Sequence, residues 1–259
     1  MPSQEKQDMK PSETTAFSFR RELERIKRQE AQRAARELIV HPQDEMVAFH
    51  QSCLSCFCQA CITAGYLTAQ QMEHAAERYR LGMARNGGVI FWQLNPLGMV
   101  CDGKVMYYRP DCHRDHSHNP TWVMSELKRF YRPPVDIPSV HCLFGLHLLK
   151  DDATIAVVEA EKTAVILSEL YPQYVWMAAG GLNELSAIKL FPLRNNQVVL
   201  FPDTDPDCKA YSLWYHVAQE AKRCYGARVS VSSLLERRAT ADQKARKIDL
   251  IDFIFEQRR

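Results

Sequence analysis

From about residue 153 to 231 the chain alternates short apolar runs with helix-like segments, and few folds satisfy that alternation. Of the runs ATIAVV (153–158), YVWMAA (174–179), QVVLF (197–201) and ARVSVS (227–232), the last alternates and the first three are nearly all apolar. Strands of that kind are covered on both faces. Between them EKTAVILSELY (161–171), LNELSAIKLF (182–191) and DPDCKAYSLWYHVAQEAKRCY (205–225) read as helices, with Pro172 and Gly226 just past the ends of the first and last. Strand–helix alternation at this spacing predicts a parallel sheet with right-handed crossovers and helices on its faces.

The upstream half follows another pattern. VIFWQL (89–94) and KVMYYR (104–109) read as strands of a hairpin or meander, CHRDHSHNP (112–120) as a loop and TWVMSELKRFY (121–131) as a short helix. Two helices are expected earlier, over about 44–64 and 68–81, the second opened by a capping box from Thr68 to Gln71. The run CLFGLHLL (142–149) fits a strand or a short helix, and a last helix is expected over about 242–255. The segment FRRELERIKRQEAQRAARELI (19–39) reads as a solvated helix behind a polar tail. The expected class is therefore α/β: a small parallel sheet flanked by helices over 151–259, an α+β lobe over 44–150, and the tail and charged helix over 1–43.

Charge and composition narrow the function classes. A formal net charge of +2 over 259 residues gives no global field that pulls the protein onto nucleic acid, so a basic patch must be local. No apolar run approaches the roughly 20 residues that cross a bilayer, and MPSQEKQDMKPSETT lacks a signal-peptide core. A cytoplasmic protein without membrane contact is expected, and its nine cysteines are then thiols or ligands rather than disulfides.

Ligands of open parallel sheets bind beyond the carboxyl ends of the strands. Acids stand there twice: Glu159 and Glu161 after the first strand, and Asp203, Asp205 and Asp207 after the third. Acids that follow apolar runs are costly to bury unpaired, and a hard cation such as Mg²⁺ (or Mn²⁺) relieves that cost. In an extended segment Asp203 and Asp205 project to one side and can share an ion, with Glu159 as a further ligand. The competing reading makes these acids helix caps, which suits Glu161 and Asp207 well.

VVEAEKTAVI, WMAAGGLNEL and VVLFPDTDP, in that order, resemble a Toprim domain, the catalytic module of primases, topoisomerases and some nucleases. The matching positions are Glu159, Gly180-Gly181 and Asp203-Thr204-Asp205. YRLG (79–82), GGVIFWQL and DGKVMYYR resemble the lobe that precedes Toprim in primases of phages and bacterial mobile elements. CLFGLHLL, the EKT of 161–163 and ATADQKARKIDLIDFIF resemble an uncharacterised Toprim-like group from such elements, so the likeness covers roughly 66–255.

The resemblance implies nucleotidyl transfer on nucleic acid in DNA replication, with Mg²⁺ on Glu159, Asp203 and Asp205. Glu159 would also serve as general acid or base, and Lys162, at a helix N-terminus, would contact phosphate. Lys104, Arg109 and Lys128, with Arg129 and Arg132, would supply a basic wall, and Tyr107 and Tyr108 could stack on bases. Single-stranded DNA, nucleoside triphosphates and a helicase or other replication protein are the implied partners. A metal-dependent nuclease of the same class and an inactive nucleic-acid-binding module remain open. Neither a CxxC pair spaced around a β-ribbon nor a GxxxxGK(S/T) phosphate loop occurs in the sequence.

Two further clusters invite metal. Cys53, Cys56, Cys58 and Cys61 form CxxCxCxxC, with His50 nearby, which suits zinc. The run is apolar and keeps helical spacing, so core packing is the expectation. Cys112, His113, His116 and His118 crowd one loop, where a solvated loop is expected.

Overall fold

The computed structural model describes Val47, residues 50–131 and residues 141–257. The tail and charged helix read over 1–43, and Arg132, lie outside the described residues. The described residues belong to one compact unit, in which two four-stranded sheets each carry helices.

The first sheet is antiparallel in the order β1 (Gly82–Met83), β2 (Val89–Leu94), β3 (Val100–Met106) and β4 (Thr121–Trp122). It is preceded by α1 (Cys56–Thr63) and α2 (Ala69–Arg78) and followed by α3 (Val123–Tyr131). The capping box of α2 forms as its sequence predicts: Gln71 N–H donates to Thr68 Oγ1, and Gln71 Oε1 accepts from Thr68 N–H. The helix expected over 44–64 is interrupted ahead of Cys56, where Ser55 caps α1 and accepts from Cys58 N–H. Hairpin strand β3 starts at Val100, ahead of the predicted Lys104, because β2 pairs with it back to that residue across a bulge at Gln93/Leu94.

Gly103 is where β3 passes the Trp92 ring. A Cβ there would lie 2.7 Å from Trp92 Cε3 and 2.9 Å from Val123 Cγ2. Trp92 has no exposed surface and cannot retreat. Gly103→Ala is therefore expected to destabilise by about 1–3 kcal/mol, read as a lower denaturation midpoint at unchanged slope.

The second sheet is parallel in the order β6 (Val175–Ala178), β5 (Thr154–Val158), β7 (Gln197–Phe201) and β8 (Arg228–Val231). Helix α4 (Glu161–Leu170) follows β5 and α6 (Lys209–Tyr225) follows β7. Burial on both faces explains why β5 is apolar from Ile155 to Val158. Ala156 and Val158 join Ala164, Ile166 and Leu167 of α4 in one core, while Ile155 and Val157 join Trp214, Val217, Ala218 and Ala221 of α6 in another. The first core also holds Phe57, Met72, Tyr79 and Phe91, so the upstream sheet and its helices close over the α4 side. Trp214, Val217, Ala218 and Ala221 repeat at helical spacing, and Gly226 ends α6 in the left-handed region at φ +65°.

Two predicted elements differ, and a third resolves between its alternatives. The segment 182–191 breaks into a 3₁₀ turn (Leu182–Glu184), α5 (Ala187–Leu190) and a second 3₁₀ turn (Phe191–Leu193). Of the two outcomes open for 142–149 the short helix forms, as a 3₁₀ turn (Leu146–Leu148) behind Gly145 at φ +83°. The C-terminal segment forms α7 (Leu234–Arg238), α8 (Ala241–Arg246) and α9 (Leu250–Glu256). Lys247, left-handed at φ +54°, separates the last two.

Candidate functional site

The strand order sets where a cleft forms. β5 connects to β6 on one side, and β7 lies on its other side, so the ends of β5 and β7 face a topological switch point. Glu159 follows β5 directly and Asp203 comes two residues after β7. Both line a cleft of about 390 Å³, together with Lys104, Arg114, His116, Glu161, Lys162, Gly180, Lys247 and Asp249.

Acids form the floor. Burial pushes the Glu159 carboxyl up, partly offset by an N–H from Leu182, and Asp249 adds to the rise. Asp203 keeps a little surface toward the cleft but is hemmed in by protein. Burial, then the charges of Glu159 and Asp249, hold its carboxyl well above the ordinary range. Lys162 is the cation among them, with Nζ 3.4 Å from Asp249 Oδ2. Burial alone would lower its pKa, but the Asp249 and Asp252 carboxylates reverse this and raise it.

Lys104 crosses from the antiparallel sheet. Its Nζ lies 3.1 Å from Glu161 Oε1 and 2.7 Å from the Gly180 carbonyl oxygen. Gly180 has φ +93°, and a Cβ there would stand 3.2 Å from Glu161 Oε1. A glycine at this turn therefore lets the second strand's end meet the first strand's acid. Arg114 stands on the rim, with Nε buried and without a hydrogen-bond partner.

The structure thus brings Glu159, Lys162, Asp203 and Lys104 to one cleft. It sets Asp205 apart. Asp205 Oδ1 accepts from the N–H groups of Asp207 (2.9 Å) and Lys209 (3.1 Å), and Oδ2 from Ala210 (2.8 Å), at the start of α6. Burial raises its carboxyl, and these three donors outweigh that and hold it below the usual range. The chain leaves strand conformation after Phe201, so the same-side rule for residues two apart does not govern this segment. Glu161 is the partner of Lys104 rather than a solvated cap, and Asp207 pairs with exposed Lys209 at 2.7 Å.

The remaining candidates disperse. Arg109 is exposed and pairs with Asp111 at 3.0 Å. Lys128 is carried on α3, and its side chain lies outside the described residues. Tyr108 packs in the core against Phe57, and Tyr107 stacks on His118. Cys58 and Cys61 are buried in the core, whereas Cys53 is exposed. Among the described residues no group of three or more His, Cys, Asp or Glu side chains is placed to hold a metal.

Asp249 escaped the sequence reading. It caps α9 by accepting from Asp252 N–H, and its other oxygen accepts from Thr163 Oγ1 at 3.0 Å. An aspartate ahead of an apolar run is a recognisable helix start, but its place in the cleft depends on packing between α9 and α4.

The donor set suits a hard cation. Glu159 and Asp203 offer carboxylate oxygens whose burial and mutual repulsion a cation would relieve, and Mg²⁺ needs only one or two protein carboxylates beside water or phosphate.

No helix among the described residues is long and apolar enough to cross a membrane. No curated protein matches the chain. Among solved structures it is similar to the primase fragment of the bacteriophage T7 primase-helicase protein, at 18% identity and TM-score 0.43, over 62% of this chain and 60% of that one. The chain thus spans less than two thirds of that fragment. It is also similar to the E. coli primase catalytic core, at 14% identity and TM-score 0.47, over 83% of this chain and 82% of that one. A third is the RNA polymerase domain of Mycobacterium tuberculosis primase DnaG, at 16% identity and TM-score 0.47, over 82% and 84%. The model of a family described as a domain of unknown function (DUF6371) matches residues 57–204. That match takes in more than half of the chain, which therefore belongs to the DUF6371 family.

Proposed function

We propose that this protein carries out metal-dependent, primase-like nucleotidyl transfer on nucleic acid, with single-stranded DNA and nucleoside triphosphates as substrates. The observation that carries the reading is the convergence of Glu159 and Asp203 at the switch point, in one cleft walled by Lys104, Lys162 and Arg114. The order of Toprim-like motifs in the sequence supports the same chemistry. Glu159 and Asp203 would hold the cation, and Asp205 would order the start of α6. When bound, Mg²⁺ neutralises phosphate charge and polarises the bond being broken. Glu159 would be a ligand or take the proton of an attacking hydroxyl. Arg114 and Lys162 would hold phosphate oxygens, and Lys104, paired with Glu161, would keep the two sheets in register across the cleft.

The expected result is oligonucleotide synthesis from nucleoside triphosphates on single-stranded DNA with Mg²⁺ or Mn²⁺, reduced at least about 100-fold in Glu159→Gln and abolished in Asp203→Ala. Synthesis that persists in Asp203→Ala would sink the site assignment. Metal-dependent cleavage without triphosphates would replace transfer by hydrolysis.

A further inference from the structure

We propose that Trp122, seated on His141, is a nucleobase-stacking platform beside the acidic cleft. The inference rests on the nucleic-acid reading above and says where a base would lie.

Lys104 of β3 stands directly opposite Trp122 of β4 in the antiparallel register. Opposed residues on neighbouring strands project to the same face. Trp122 is therefore carried on the face from which Lys104 enters the cleft. The His141 ring stacks on the indole, with centroids 3.9 Å apart and planes 21° apart.

His141 is held firmly. Its Nε2 lies 3.2 Å from Asp102 Oδ2, and Asp102 has no exposed surface. Asp102 Oδ1 accepts from the N–H groups of Gly103 (2.6 Å) and Met124 (3.1 Å). One buried carboxylate thus fixes both the imidazole and the segment that carries the indole. Such a group is costly to bury, and what it secures here is an aromatic pair at the sheet edge.

Trp122 also differs from the other tryptophans. Trp92, Trp176 and Trp214 are core residues, at most 3% exposed. Trp122 is only partly buried. A flat π-system one residue pair from a cleft that suits phosphate matches the chemistry of a nucleobase joined through its sugar to phosphate. Aromatic stacking of this kind tolerates any base. The base could belong to a single strand or to a free nucleotide. His141 acts as a positioning residue, through the indole.

Two readouts on the full chain test this: anisotropy of dye-labelled strands gives affinity for every variant, and intrinsic fluorescence reports stacking, because Trp122 is the indole that solvent and ligand reach. The probes are oligo(dT), an abasic strand of the same length, and UTP. Oligo(dT) is expected to quench and to bind about 5- to 150-fold tighter than the abasic strand. Trp122→Ala should bring oligo(dT) down to the abasic affinity while leaving the abasic strand unchanged. Trp122→Phe should keep most of the gain, and His141→Gln should lose part of it. Quenching by UTP but not by oligo(dT) would assign the platform to the free nucleotide. Equal affinity of the unaltered protein for both strands, without quenching by UTP, overturns the platform and leaves the nucleic-acid reading standing. Failure to bind any of the three probes overturns both.

Discussion

Lys104→Ala is expected to lower the free energy of unfolding by about 3–5 kcal/mol. The pair it breaks is deeply placed, with side-chain exposures of 11% for Lys104 and 2% for Glu161. Removal of the ammonium leaves a buried carboxylate without its counter-charge and leaves the Gly180 carbonyl oxygen without that donor. The cost comes from the abandoned charge rather than from the strength of the pair. Lys104→Met combined with Glu161→Gln should therefore recover much of the loss, since neither member is then charged. Denaturant unfolding of Lys104→Met, Glu161→Gln and the double variant closes the cycle. Purely additive losses would show that the pair does not couple the two sheets.

Asp203→Asn is expected to act in the opposite direction. Without divalent cation it should stabilise the protein at neutral pH by on the order of 1–3 kcal/mol, because a reluctant carboxylate is removed from protein surroundings. The pH dependence follows from the direction of the shift. Asp203 ordinarily titrates near 3.8, and in the folded protein it titrates well above that value. Between those two values the folded state holds a proton that the unfolded state has released, so stability falls as pH rises through the window. Glu159, raised above its ordinary 4.5, contributes in the same sense. The unaltered protein should thus lose stability as pH rises above the ordinary carboxylate range, and Asp203→Asn should flatten that slope. Mg²⁺ at about a hundredfold excess over its dissociation constant should restore about 2.7 kcal/mol to the unaltered protein and nothing comparable to Asp203→Asn. Calorimetry across pH, with and without Mg²⁺, reads both effects. A Mg²⁺ response undiminished in the variant would remove Asp203 from the cation site.

Much of the fold was legible because hydrophobic periodicity is a local property. The apolar run of β5 announces a strand buried on two faces, and Thr68 with Gln71 announces the start of α2. Periodicity failed where a local pattern admitted two outcomes. The segment 182–191 has helix-forming residues, yet Gly181 and the return to β7 leave room only for short turns. The cysteine run reads as either a metal knot or a core helix, and only the packing of Cys58 and Cys61 into the core separates the two.

The candidate site divides in the same way. By itself the sequence determined that acids stand at the carboxyl ends of two strands, since strand ends and residue types are both local. The tertiary structure decided which of those acids meet. Lys104 finds Glu161 across 57 residues, and Thr163 finds Asp249 across 86. Asp203 turns toward Glu159 while Asp205, two residues on, is taken by the amides of α6. Spacing along a chain sets the direction of a side chain only while the backbone stays regular. Beyond Phe201 the backbone leaves its strand, and the sheet order together with the packing of α4, α6 and α9 determines which charges share the cleft.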